Sequence, residues 1–337
     1  MSSAVATEVN PTKAGAQRLV RLCANLKAGE RVYVVSDDST RAVGDEVTAQ
    51  AREITRDVQH DIIEAEAMHG SEPPPFVAAR MAGAHVIFGL TAMSMAHTSA
   101  RRNAVERGAR YLSLPDYSLE LLASPALRAD FEEISVVCNQ IADVIDQSSA
   151  IRITTRAGTD LTLSTGSRLS NRCPGLVWRA GELGSPPDAE VNIAPLEGTA
   201  QGTIVVDGSI PCREIGLLAA PVILTVLDGR IANIDGSAPV LRTLEGLFSK
   251  AGPKSRVLAE FGIGLNPQAR LCGVMLEDEG CAGTVHFGFG SNLTIGGLNE
   301  VGFHLDFIVR DATVFCDNRQ VLLAGAFASG LGNDPRL

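Results

Sequence analysis

Along the first 147 residues the hydrophobic positions switch repeatedly between helical and strand spacing. Leu19, Val20, Leu22, Cys23 and Leu26 fall on one face of a helix predicted over 14–26. The run RVYVVS at 31–36 is a short apolar strand that ends in Asp37 and Asp38. Helical spacing returns at 40–54, strand-like runs follow at 61–66 and 84–90, and a charged helix covers 99–108. A further strand at 110–114 and an amphipathic helix at 131–145 complete the series. Strands that alternate with helices predict parallel pairing through right-handed crossovers. Residues 1–147 therefore read as an open, Rossmann-like α/β domain. No G-x-G-x-x-G follows its first strand, so a dinucleotide site is not indicated.

Near Ser148 the period changes to two. Segments 151–155 and 161–164 alternate around Gly158-Thr159-Asp160, which predicts a hairpin. Strand-like runs continue at 203–206, 222–227, 230–234, 283–289 and 313–315, punctuated by Gly and Pro. Only 243–251 and 267–272 have helical character. The predicted class is α/β: an α/β domain over 1–147, then a β-rich, metal-binding catalytic domain over 148–337.

Composition narrows the function. The 337 residues are enough for two domains with separate cores. Acidic residues outnumber basic ones by 39 to 29, a net charge of -10, so the basic footprint of a nucleic-acid binder is missing. The seven cysteines are odd in number and form no C-x-x-C, which predicts reduced thiols rather than a disulfide framework or a zinc–cysteine site. Residues 1–12 hold no apolar leader core and no run is long enough to span a bilayer, so a cytoplasmic protein without membrane contact is expected. Trp178, the single tryptophan, reads as a core anchor.

The candidate chemistry lies in the second half. His304 and Asp306 form an H-x-D pair, and on a strand residues i and i+2 share a face, so both can approach one cation. His286 lies in an apolar, glycine-rich run, GTVHFGFG. Glu260 is a lone carboxylate amid apolar residues and needs a partner, which a metal would supply; Glu190 poses the same question. In the acidic cluster 277–279, Glu277 reads as a solvated turn residue and Glu279 as a general base. His97 follows the strand at 84–90, where open α/β sheets bind ligands, and is a substrate-contact candidate.

At these residues the chain resembles the thermophilic aminopeptidases, two-metal enzymes of the aminopeptidase T type. The resemblance rests on an ordered series: Ala-Glu190-Val-x-x-Ala-Pro, Ala-Glu260-x-Gly-Ile-Gly-x-Asn-Pro, Asp278-Glu279, Gly-Thr-Val-His286, Gly296-Gly297-x-Asn299 and His304-x-Asp306. It covers roughly the C-terminal half and implies that Glu190, Glu260, His286, His304 and Asp306 bind the metals. It also implies homo-oligomers. The tyrosine that those enzymes carry after the residue matching His286 is absent; the stretch here reads Gly290-Ser-Asn292-Leu293. In overall length the chain is also similar to the mononuclear Fe(II) enzyme family of 2,5-dihydroxypyridine 5,6-dioxygenase. Gly264-Leu-Asn-Pro-Gln-Ala-Arg270, Gly296-Gly297, His304-Leu-Asp306 and the surroundings of His97 carry that likeness. It implies an acid–base role for His97. That family has histidine where Glu260 stands and lacks counterparts of Glu190 and His286.

Non-haem iron oxygenases use two histidines and one carboxylate, which His286, His304 and Asp306 would supply. Glu190 and Glu260 would then be surplus carboxylates, and two divalent ions (Zn, Co, Mn or Fe) balance the charge better. The expectation is thus a dinuclear hydrolase of an amide or related C–N bond. Its substrate would be a peptide or small cyclic compound, with Glu279 as base and His97 orienting the substrate. The alternative is mononuclear Fe(II) ring-opening dioxygenation of a hydroxylated N-heterocycle, in the catabolism of such compounds.

Overall fold

The computed structural model describes residues 10–66 and 68–331; residues 1–9, read above for a leader, lie outside them. The described chain forms two compact units. One comprises the residues up to Arg128 together with Leu176–Pro186, the other Ala129–Gly175 together with the residues from Pro187 onward.

In the first unit Asn10 caps helix Pro11–Gln17 by accepting a hydrogen bond from Thr12 N at 3.0 Å, with proline in the first turn. The helix runs on as a π-helical turn, Arg18–Cys23, in which Ala24 N donates to Leu19 O at 2.8 Å. Ala16, Leu19, Val20 and Cys23 form its buried face. Five parallel strands follow in the spatial order Val58–Ile63, Val32–Asp37, Val86–Leu90, Arg110–Ser113, Leu183–Gly184. Helices Arg41–Arg52, Pro75–Gly83 and Ser99–Glu106 connect them. The second and third strands in this order are buried throughout, as parallel strands covered on both faces must be. Asp37, at a strand end, accepts from Ser39 N at 3.0 Å and Ala92 N at 2.6 Å and ties two strand ends together. Trp178 is not a core anchor: it is 38% exposed, and its indole Nε1 donates to Leu22 O at 2.6 Å.

The second unit is β-rich. The expected hairpin is present as Ala150–Thr154 paired antiparallel with Asp160–Ser164, with Gly158 in the left-handed region at φ +113°. These strands belong to an eight-stranded sheet. A seven-stranded antiparallel sheet carries Gly216–Leu217, Ser209–Ile210, His304–Val309, Val285–Gly290, Leu258–Gly264, Glu190–Ile193 and Asn171–Cys173, in that order. Helix Ala238–Ala251 contains the expected segment 243–251. The predicted helix over 267–272 does not form, and a single turn, Met275–Asp278, stands just after it. Side chains replace the helical bonding there: Asp278 accepts from Cys272 N at 2.7 Å, Gly273 N at 2.9 Å and Ser209 Oγ at 2.5 Å. The architecture is mixed α/β, an alternating N-terminal region followed by a β-rich one. Among the described residues, no helix is long and apolar enough to cross a membrane. All seven cysteines are free thiols.

Candidate metal centre

Four adjacent strands of the seven-stranded sheet build one polar face and one apolar face. Val191, Ile193, Phe261, Ile263, Phe287, Phe289, Leu305 and Phe307 point one way and are buried. Phe261 packs on Phe287, and Phe289 meets Phe307 edge-on with ring centroids 5.4 Å apart. The alternate residues Glu190, Glu260, His286, His304 and Asp306 share the other face. Register then sets their spacing: Glu260 pairs with Gly288, Gly262 with His286, Gly288 with Asp306 and Gly290 with His304. Each histidine leans over a glycine. A Cβ at Gly262 would overlap the His286 ring, and one at Gly288 would lie 2.8 Å from Asp306 Oδ1 and overlap His304. The glycines form a cradle for the imidazoles.

The face gathers two ligand sets, Glu190–Glu260–His286 and Glu260–His304–Asp306, each with donor atoms within 4.8 Å of one another. Glu260 belongs to both: Oε2 lies 3.2 Å from His304 Nε2, and Oε1 lies 3.8 Å from His286 Nε2. His304 Nε2 is 3.3 Å from Asp306 Oδ1. His286 Nε2 is 2.9 Å from Glu190 Oε2, yet that oxygen accepts no hydrogen bond of proper geometry, and neither does Asp306 Oδ1. Buried carboxylate oxygens rarely go unsatisfied. Imidazole nitrogens that face such oxygens without bonding them make a donor set that could hold a divalent cation, and the residues fit one. The triad of His286, His304 and Asp306 considered from the sequence is not assembled; Glu260 stands where His286 was expected.

Without a cation the electrostatics are severe. Burial raises the Glu190 carboxyl, only partly countered by His286. Burial would also raise Glu260, but His286 and His304 bring it down to about 2. Burial depresses both histidines, and the surrounding carboxylates more than offset this, leaving His286 and His304 well above the usual imidazole range. Two further buried acids lie within electrostatic reach of these ligands. Asp188 and Glu279 are held well above the carboxylate range by burial and then by neighbouring negative charge. Asp188 Oδ1 and Glu279 Oε1 accept no hydrogen bond. Asp188 was not singled out from the sequence, although its position two residues before Glu190 was the available signal.

The two ligand sets differ in access. The His304 side chain is 32% exposed, that of His286 only 1%. His304 Nδ1 lies 2.9 Å from Ser291 O, a contact in which the ring donates and leaves Nε2 as the metal-facing atom. Ser291 is held indirectly. Glu197 Oε1 accepts from Asn292 Nδ2 at 2.9 Å and Leu298 N at 2.8 Å, while Oε2 pairs with Arg168 at 2.6 Å. Burial would raise the Glu197 carboxyl, but these donors bring it down to about 2. Replacing Glu197 with alanine should loosen the 291–303 segment and weaken metal binding about tenfold or more, as loss of outer-shell support does. Titration against a competing chelator measures this, and unchanged affinity would remove Glu197 from the site's support.

Glu277 is not a solvated turn residue. It is buried, and its Oε1 accepts from Arg270 N at 3.2 Å. His97 belongs to the first unit, exposed on the loop after Val86–Leu90, where its carbonyl accepts from Arg102 at 2.9 Å. Glu279 and the five ligand candidates belong to the second unit.

Comparison with known proteins corrects the resemblance drawn from the motifs. The sequence profile of the 2,5-dihydroxypyridine 5,6-dioxygenase family matches residues 14–329. The 2,5-dihydroxypyridine 5,6-dioxygenase of Pseudomonas putida KT2440 is 26% identical over 194 residues, covering 54% of this chain and 55% of the relative. The chain thus spans about half the length of that curated relative. The structure of 2,5-dihydroxypyridine dioxygenase from the same organism superposes with a TM-score of 0.81 at 19% identity, covering 96% of this chain and 99% of that one. The aminopeptidase AmpT of Thermus thermophilus reaches 0.64 at 13% identity, over 94% and 99%. At these identities the two structures speak for the fold alone. The aminopeptidase assignment, and the amide hydrolysis inferred from it, are therefore withdrawn. Metal-ligand types at matching positions carry a donor set between relatives, and the reaction run on it can differ. The chain belongs to the 2,5-dihydroxypyridine 5,6-dioxygenase family.

Proposed function

We propose that this protein is a metal-dependent, ring-cleaving dioxygenase of a hydroxylated N-heterocycle, with one divalent ion held by Glu260, His304 and Asp306. The observation that carries this reading is the accessible ligand set in a chain of this family. Only this set has a part-exposed histidine with its second nitrogen anchored, and substrate and dioxygen both need an approach. Iron(II) bound there supplies the redox and Lewis-acid chemistry that joins dioxygen to an electron-rich hydroxylated ring. The Ser291 carbonyl fixes the His304 ring. Glu279, whose buried carboxyl is held well above the usual carboxylate range, is the candidate to exchange a proton with a ring hydroxyl. His97, on the loop after Val86–Leu90, is kept as a candidate acid–base residue, to be tested by its own substitution.

The reading is tested by loading the protein anaerobically with Fe(II) and following oxygen uptake together with the absorbance of 2,5-dihydroxypyridine. One dioxygen consumed per ring opened is expected. Bound iron with no uptake across a panel of dihydroxypyridines would overturn the proposal.

A second reading of ion number has its own observation. Glu190 and His286 form a complete second set with the shared Glu260, and three carboxylates face two histidines. Two divalent ions per chain would balance that charge better than one. Metal analysis on Fe(II)- and Mn-loaded protein separates the readings: a plateau at one ion supports the mononuclear centre, a plateau at two the shared-carboxylate pair.

A further inference from the structure

The first unit carries a groove that the metal chemistry leaves unused. Ala14, Gln17, Arg18, Arg21 and Leu22 recur at helical spacing on the face opposite the buried Ala16, Leu19, Val20 and Cys23. With Arg128 they line an open groove of about 540 Å³. We propose that this groove binds a small organic anion bearing a doubly charged acid function, a dicarboxylate or a phosphate ester.

Five observations converge on it. Three guanidinium groups meet here in a chain whose net charge is -10, so the groove is an island of positive potential. Arg18 is held in place, its Nε donating to Leu127 O at 2.9 Å, and contributes its positive charge to the groove. Arg128 is exposed and pairs with no carboxylate among the described residues. Arg21 pairs with Glu53 at 2.9 Å, but both side chains are exposed, and such a pair is weak enough to yield to a competing anion. The π-helical turn supplies Arg18, Arg21 and Leu22, and π-turns are frequent at functional sites. The planar guanidinium forks of Arg128 and Arg21 match carboxylate and phosphate oxygens two at a time, while Ala14 and Leu22 offer a short apolar contact.

The groove has a built-in reporter. Trp178 is the only tryptophan, and its indole N–H bonds the carbonyl of Leu22 on the groove wall. The test is a fluorescence titration of the intact, metal-loaded protein with succinate and, separately, inorganic phosphate at matched ionic strength. A saturable change is expected, with a dissociation constant raised about tenfold or more by Arg128→Ala. Arg319→Ala, an exposed arginine of the second unit, should leave it unchanged. Saturation by one probe alone identifies the acid group. Because Arg128 is exposed, its variants keep the fold, and Arg128→Glu should abolish the response. No saturation by either probe up to about 20 mM, or equal responses in wild type and Arg128→Ala, would overturn the proposal.

Discussion

Glu260→Ala is expected to leave the protein with less than a tenth of its metal and to lower oxygen uptake by about a thousandfold or more, since both ligand sets lose a member. Its two oxygens face different histidines, so no neighbouring carboxylate can replace it without a change of register. Glu260→His is the sharper experiment. It places two imidazoles and the Asp306 carboxylate around one position, the donor set usual for mononuclear iron oxygenases. It should keep one iron per chain and measurable oxygen uptake, while any second ion is lost. Metal analysis and an oxygen electrode read both variants. A Glu260→Ala protein that retained full metal and activity would end the assignment of this centre.

Removing the metal should make stability depend strongly on pH. His286, His304, Asp188, Glu190 and Glu279 are all raised in the folded, metal-free chamber. Each therefore binds more proton folded than unfolded between its ordinary value and its raised one, and stability falls as pH rises through that interval. Glu260 acts oppositely: its contribution is present above its ordinary value of 4.5 and is lost as pH falls toward about 2. The chelated protein should thus be most stable in mild acid, with Tm falling by about 5 °C or more between pH 6 and pH 9. A bound cation takes the place of those protons and flattens the curve, and its affinity rises with pH because uptake releases protons. Calorimetry with and without chelator across that range checks the sign. A flat profile for the chelated protein would mean that the acidic chamber is not coupled to folding.

Parts of this centre were legible from local pattern alone. His304 and Asp306 announce themselves because strand period two puts i and i+2 on one face. Glu260 announces itself because an unpaired carboxylate is costly in an apolar run. The placement of Glu260 between the two histidines was not legible, because it depends on the pairing of strands 190–193, 258–264 and 285–290, set by contacts distant in sequence. The alternating helices and strands of the first 147 residues were readable for the same local reason. Glu277 and the stretch 267–272 misled because an acidic loop reads as solvated and short spacing reads as helix. Side-chain bonds to Arg270, Cys272 and Gly273 decided both. The motif series drew together residues that the fold does place on one face, while pointing to the wrong reaction.

The edge strand Leu183–Gly184 of the first sheet enters the chain only after Ala129–Gly175 has been committed to the second unit. On the ribosome, then, the first unit cannot close until segments of the second are already outside the tunnel. The sheet edge at Arg110–Ser113 waits unpaired during that interval, and an unpaired edge is where a nascent chain is most open to the wrong neighbour. Neither unit is a contiguous stretch of chain. A gene cut between them at any single point would separate a sheet from one of its own strands.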